Sequence, residues 1–312
     1  MLCAAREFVG GDGAQALPGR DRKPERPPVT SRSTAGFFSR GTSSRTIGRR
    51  VVVAATVVTT AILPLGAVTA ARVQAAPTVM PAHTIPAPLA ISVPDVANAR
   101  TFANYTTETG MRISDKVIRS ANLSTLTPAG ITALQRHGVR SIIDLRTQLE
   151  AAVQPDKPVP GATRRNLDVL GAVPASYLVD LPNAYSAFVT DPHAREAFRA
   201  SLLDIKDTVT AGGSVLFHCS AGKDRTGWLA AVLLTILGVD RQVVDADYLA
   251  SNSFRHASPN DPLNGVNIGW LNASFAAADK TYGSFDGYVR KGLRLSDADI
   301  AGLEKALLRP SI

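Results

Sequence analysis

Apolar positions fall into unbroken runs in two places and at helical spacing around them. Val139 to Leu145 and Ser214 to Phe217 each read as a buried strand. Ahead of the first run, Thr127 can cap a helix with Pro128 at its first position, carrying Ile131 and Leu134 to a stop at Gly138. Between the runs, Asp191-Pro192 opens a longer helix with Phe198, Leu202, Ile205 and Val209 at helical spacing, ended by Gly212-Gly213. Asp224 to Leu237 predicts a buried helix behind the second strand. The tail from Asp240 to Ile312 reads as mostly helical, with Ser296-Asp297-Ala298-Asp299 as a capping box for its last helix. This order predicts an α/β fold, a central mostly parallel sheet flanked by helices, with a mostly helical C-terminal region. Sites in such sheets lie at the carboxyl ends of the strands.

The front of the chain is patterned differently. Residues 1–50 are rich in Gly, Pro, Ser and Arg and lack apolar periodicity, which predicts a disordered basic leader. Val51 to Ala71 is an uncharged run between Arg50 and Arg72, followed by Val73-Gln74-Ala75. Residues 51–76 therefore fit a secretory signal cleaved after Ala75 or Ala76. The run is also long enough to stay as a membrane anchor, although Pro64, Gly66 and several threonines lower its apolarity. Cleavage predicts a secreted or extracytoplasmic protein; retention predicts an N-terminal anchor as its membrane contact. Five prolines between Pro77 and Val96 predict an extended linker, with one domain over 97–312.

Charge follows the same division. Of 34 Lys and Arg and 26 Asp and Glu, residues 1–76 hold 11 and 4. The remainder is near neutral and shows no basic stripe interleaved with aromatics, so no nucleic-acid partner is expected. Cys3 is lost on cleavage, which leaves Cys219 as a lone candidate reactive thiol. No Cys/His cluster is available for zinc, and neither metal nor cofactor is expected.

The chemistry concentrates in His218-Cys219-Ser220-Ala221-Gly222-Lys223-Asp224-Arg225-Thr226-Gly227, between the second strand and the buried helix. A tight loop here turns N–H groups inward, and the helix N-terminus adds its positive end, which suits a dianion above the sulfur. Both the helix and the Arg225 guanidinium favour the thiolate of Cys219. Arg225 offers a planar fork for two phosphate oxygens. The amides of Ser220, Ala221, Gly222 and Lys223 help form the cradle, and Gly222 permits positive φ. The Thr226 hydroxyl can bond the sulfur, and His218 holds the loop carbonyls rather than serving as a base.

These residues imply in-line attack on a phosphate monoester, a cysteinyl-phosphate, and an aspartate as acid and then base. Three aspartates are open for that role: Asp224 in the loop, Asp144 at the end of the first strand, and Asp180 in Val179-Asp180-Leu181-Pro182. Each has a plain reading too: Asp224 as a helix cap, Asp144 as a partner of Arg146, Asp180 as a turn residue. Lys223 is either a solvated rim side chain or a ligand for a second phosphate or acidic group. An inactive phosphate-binding module, a sulfurtransferase and an arsenate reductase are the alternatives, the last disfavoured by the lack of a second mature cysteine.

The loop resembles the active-site signature of protein tyrosine phosphatases. Its Ala-Gly-Lys-Asp-Arg-Thr-Gly form is similar to that of the atypical bacterial secreted tyrosine phosphatases, some of which also act on phosphoinositides. The similarity extends through Val117-Ile118-Arg119-Ser120-Ala121, Leu126-Thr127-Pro128, Ser141-Ile142-Ile143-Asp144-Leu145-Arg146, Asp245-Ala246-Asp247-Tyr248-Leu249 and Tyr282-Gly283-Ser284-Phe285, roughly Arg100 to Leu308. It implies a tyrosine-phosphatase-like fold and a phosphorylated protein or phosphoinositide as substrate. It also favours Asp224 as proton donor with Lys223 beside it, and a helical lid over the pocket. The family opens with an Asn-Phe-Arg-Asp segment and paired glycines; the stretch read as its counterpart, Phe102-Ala103-Asn104-Tyr105-Thr106-Thr107, departs from that pattern.

Overall fold

A computed structural model describes residues 85–258, 260–261 and 263–311. The expected leader, the signal segment and the first part of the linker fall outside the described residues. The strands are β1 (Leu89–Ala90), β2 (Arg100–Thr101), β3 (Arg112–Ile113), β4 (Val117–Ser120), β5 (Val139–Asp144), β6 (Thr163–Asn166), β7 (Ser214–His218) and β8 (Leu308–Arg309). The helices are α1 (Pro128–Arg136), α2 (Gln148–Val153), α3 (Leu181–Thr190), α4 (Pro192–Thr210), α5 (Arg225–Ile236), α6 (Arg241–Phe254), α7 (Ile268–Tyr282), α8 (Phe285–Gly287) and α9 (Asp297–Leu307).

Six strands form one sheet in the order β1-β2-β4-β7-β5-β6. From β4 to β6 every pairing is parallel, and β1 and β2 add an antiparallel edge. Strand β7 is buried along its whole length. Its side chains alternate between two cores, Val215 and Phe217 in the larger and Leu216 in the smaller, as the two-residue period of a strand requires. A strand covered on both faces reads as a continuous apolar run, which is why this one was legible. Helix α5 is buried from Arg225 through Leu234. The predicted caps form: Thr127 accepts from the Gly130 N–H at 3.3 Å, Asp191 from Ala194 at 2.9 Å, and Ser296 with Asp299 closes a capping box. The C-terminal region is helical, as expected.

The fold starts earlier than the composition suggests. Leu89 and Ala90 pair with β2, and Val93 and Val96 are buried in the smaller core, so the proline-rich stretch is part of the sheet layer before Ala97. Pro86 and Pro88 lead into β1 at the antiparallel edge, where missing N–H donors are tolerated.

One buried polar cluster ties α6 to this edge. Asp247 accepts from Arg100 Nε at 3.0 Å, Arg119 Nη1 at 2.5 Å and the Tyr105 hydroxyl at 3.1 Å. Burial pushes the Asp247 carboxyl up, and the two guanidiniums more than offset this, holding it below the usual carboxylate range. Asp247→Asn would leave two buried arginines short of a counter-charge, and a loss of about 3–5 kcal/mol in denaturant unfolding is expected. The carboxylate's contribution is present above its unfolded pKa of about 3.9 and fades as pH falls below it. A variant with wild-type stability and an unchanged acid limb would show that the cluster holds nothing together.

Candidate active site

The loop from Cys219 to Asp224 leaves the carboxyl end of β7 and enters α5 at Arg225. Its carbonyl oxygens are taken by donors from outside the loop. Leu145 N–H bonds His218 O at 2.9 Å, and His218 Nδ1 lies 3.1 Å from Cys219 O. Asn122 Nδ2 reaches Ser220 O at 2.9 Å, and Arg255 Nη1 reaches Ala221 O at 3.1 Å. Gly222 O receives both Asn98 Nδ2 at 2.8 Å and Arg119 Nη2 at 2.9 Å. In a trans peptide the C=O and the following N–H point opposite ways. Anchoring the carbonyls outward therefore turns the amides inward, toward an anion. Gly222 has φ +68°, and a Cβ there would fall 2.2 Å from the Ser120 carbonyl oxygen, so only glycine fits.

Cys219, the free cysteine among the described residues, is 1% exposed. Burial alone would raise its thiol. The Arg225 charge, together with the Thr226 hydroxyl and N–H, outweighs burial and the opposing charge of Asp224, so the pKa falls below the ordinary value. The Thr226 hydroxyl is buried without a further hydrogen-bond partner among the described residues, and it favours the thiolate of Cys219.

Arg225 is held by a residue that the pattern of the sequence did not single out. Glu150 of α2 takes Arg225 Nη1 and Nη2 at 2.7 Å each, and the Ser220 hydroxyl at 2.6 Å. The same carboxylate accepts from Thr147 N–H at 3.0 Å as the third residue of a capping box. Burial pushes Glu150 up, but Arg225, Ser220 and Thr147 together bring it down to about 2. Helix α2 has no buried residue, so no periodicity marks it. Thr147-x-x-Glu150 was the available signal.

The three candidate aspartates have different surroundings. Asp224 is the N-cap of α5 yet makes no capping bond. Its carboxylate instead accepts from the Tyr185 hydroxyl at 2.9 Å and pairs with Lys223 Nζ at 3.0 Å. Asp144 is fully buried and is gripped by Arg146 Nε and Nη2 at 2.8 Å each, by the Arg146 N–H at 3.0 Å, and by Arg164. Asp180 caps α3 through Asn183 N–H at 3.5 Å. Lys223 is 3% exposed, with Nζ 5.7 Å from the Trp270 ring of α7.

Asp144, Asp156 and His218 cluster behind the loop, with His218 Nε2 3.1 Å from Asp156 Oδ2. Burial pushes Asp156 up, but His218 and Arg146 hold it well below the usual carboxylate range. Arg146 and Arg164 each contact both carboxylates, so this set already carries its positive charge. Ahead of the Phe102–Thr107 stretch, Asn98-Ala99-Arg100 has the Asn-x-Arg spacing of the Asn-Phe-Arg-Asp pattern. Asn98 holds loop carbonyls and Arg100 holds Asp247.

A family model described as the tyrosine phosphatase family matches residues 91–309. The chain is 28% identical over 279 residues to the triple specificity protein phosphatase PtpB of Mycobacterium tuberculosis, across 69% of this chain and 98% of that protein. It is 30% identical over 229 residues to a tyrosine-protein phosphatase of Nostoc commune, across 62% of this chain and 74% of that protein. The crystal structure of P. aeruginosa TpbA aligns with 67% of this chain and 98% of its own at 19% identity, with a TM-score of 0.35. With most of its length from β1 to β8 matched, the chain belongs to the tyrosine phosphatase family.

Proposed function

We propose that this chain is an exported phosphatase that hydrolyses phosphotyrosine through a cysteinyl-phosphate on Cys219, with phosphoserine, phosphothreonine or phosphoinositides as further substrates. One observation carries the reading. The Cys219 thiol is favoured as thiolate by Arg225 and Thr226 inside a loop whose Ser220, Ala221 and Gly222 carbonyls are drawn outward by donors from elsewhere in the chain. A thiolate under inward amides is a nucleophile placed beneath a phosphate cradle. Glu150 engages Nη1 and Nη2 of Arg225, which leaves the Nε edge for phosphate oxygens. Asp224, free of capping duty and held by a hydroxyl, serves as acid for the leaving oxygen and as base for water in the second step. Asp144 and Asp180 support structure instead, one inside an arginine pair and one as a cap. The name of PtpB, triple specificity, supports the broader substrate range, and Lys223 beside Trp270 is the place for a second acidic group or an aromatic ring.

Phosphate release from p-nitrophenyl phosphate tests the reading. Cys219→Ser is expected to cost roughly 10⁴-fold or more in kcat/KM. Phosphate binding without turnover in the unmutated protein would identify an inactive binding module, and thiosulfate turnover without phosphatase activity a sulfurtransferase. Iodoacetamide should alkylate Cys219 below the pH at which a free thiol of pKa about 8.5 reacts, and vanadate should protect it. Alkylation that tracks an ordinary thiol would remove the nucleophile from the mechanism.

Glu150→Gln is expected to keep the helix cap but loosen Arg225, raising KM for aryl phosphates about tenfold with a smaller change in kcat. Glu150 also makes a pH signature. Its folded pKa of about 2 lies below the unfolded value, so its stabilisation is complete above about 4.5 and is lost as pH falls toward 2. Thermal melts of Glu150→Gln should be less acid-sensitive over that window; parallel acid limbs would mean that the carboxylate does not hold Arg225 in solution. Export is tested by the N-terminus of protein recovered outside the cytoplasm, expected at Ala76 or Pro77, whereas intact chain in the membrane fraction would show an anchor instead.

A further inference from the structure

Two buried phenols stand behind Asp224. The Tyr185 hydroxyl of α3 lies 2.9 Å from Asp224 Oδ1 and 2.6 Å from the hydroxyl of Tyr248 on α6. The two rings meet edge to face at 89° with centroids 6.3 Å apart. Tyr248 packs on the first turn of α5, where a Cβ on Gly227 would come within 3.0 Å of its ring. The Tyr185 carbonyl is held by the Ser274 hydroxyl at 2.7 Å, which fixes α3 against α7. Burial, and then the charge of Asp224, raise both phenols well above their ordinary pKa, so each keeps its proton. A neutral phenol has one O–H to give. If Tyr248 donates to Tyr185, the Tyr185 proton is committed to Asp224.

We propose that Tyr185 and Tyr248 are positioning residues for Asp224, a hydroxyl pair that fixes the carboxyl through Oδ1, with Lys223 Nζ 3.0 Å from Oδ2, the oxygen whose proton passes to the leaving group. The inference rests on Asp224 being the general acid. As the Cys219 sulfur forms its bond to phosphorus and the ester P–O bond breaks, the proton on Oδ2 moves to the departing oxygen. Asp224 is left as a carboxylate, with Tyr185 donating to Oδ1. When water attacks phosphorus, its proton passes to Oδ2, the S–P bond breaks, and the thiolate returns. Loss of either phenol leaves the carboxyl free to turn, which matters only where the leaving group needs the proton.

That dependence supplies the test. Values of kcat/KM would be measured over aryl phosphates from strongly acidic leaving groups, such as 2,4-dinitrophenol, to weakly acidic ones, such as phenol. Tyr185→Phe is expected to lose about tenfold on phenyl phosphate and less than about twofold on the dinitrophenyl ester. Tyr248→Phe should lose less with the same trend. Tyr185→Phe combined with Asp224→Asn should be within about twofold of Asp224→Asn alone, because both act through one proton. An equal loss across all leaving groups, no loss, or a full further loss in the double variant would overturn the inference. If Asp224→Asn is steep and Tyr185→Phe is flat, only the phenol pair fails. A flat Asp224→Asn would sink the acid assignment beneath it. Should Tyr185→Phe fail to fold, Tyr248→Phe reads the same pair from its far side.

Discussion

The constraint on which the rest depends is the outward anchoring of the loop carbonyls. A thiolate in a buried position is costly unless dipoles and charges face it. The loop can present its amides only if its carbonyls are satisfied elsewhere. Asn98, Arg119, Asn122 and Arg255 do this from four separate places in the chain. Arg119 is itself buried and needs a counter-charge, which Asp247 provides while also holding Arg100. The polar network under the sheet edge is thus an extension of the site. Each guanidinium in it stands on a carboxylate, and the last of them reaches a loop carbonyl.

Charge within the pocket is arranged by the same rule. Arg225 stands on Glu150 and Lys223 on Asp224, so neither cation is buried alone. Neither pair closes the cradle completely. Glu150 takes one edge of a planar group that has a second edge, and Asp224 is shared between an ammonium and a phenol. A dianion entering here adds to positive charge that is already oriented and does not have to assemble it, the condition under which electrostatic stabilisation is largest.

What the sequence revealed depended on whether a feature was local. Strand β7, the loop and α5 are contiguous, and the thiol, the arginine and the glycine with positive φ could be read in one window. The parallel sheet followed from the two apolar runs and the helices between them. The supports of the loop were not legible, because they are polar residues distant in sequence that become buried only in the fold. Asn98 and Arg119 have no pattern of their own, and Glu150 sits on a helix without an inward apolar face. Tyr185 was hidden for a related reason. The segment beginning at Asp180 read as a loop, since Leu181-Pro182 resembles a turn as much as a first helical turn. The linker misled through its prolines, which mask the apolar Val93 and Val96 that the smaller core takes up.

The three aspartates show why residue type alone could not choose among them. A carboxyl that delivers a proton must have an oxygen that can carry it and turn toward the substrate. Asp144 has every lone pair directed at a guanidinium or an amide, whereas Asp224 faces one ammonium and one phenol, so protonating Asp144 would disrupt more buried partners. Asp180 is spent on the end of α3. Asp224 sits at a helix start, the position where an aspartate ordinarily bonds the first-turn amides, and it does not do so. The carboxyl is turned to the Tyr185 hydroxyl and the Lys223 ammonium instead. A cap forgone in favour of a buried phenol is a local loss of helix stability, and the proposed role of Asp224 as proton donor would account for it.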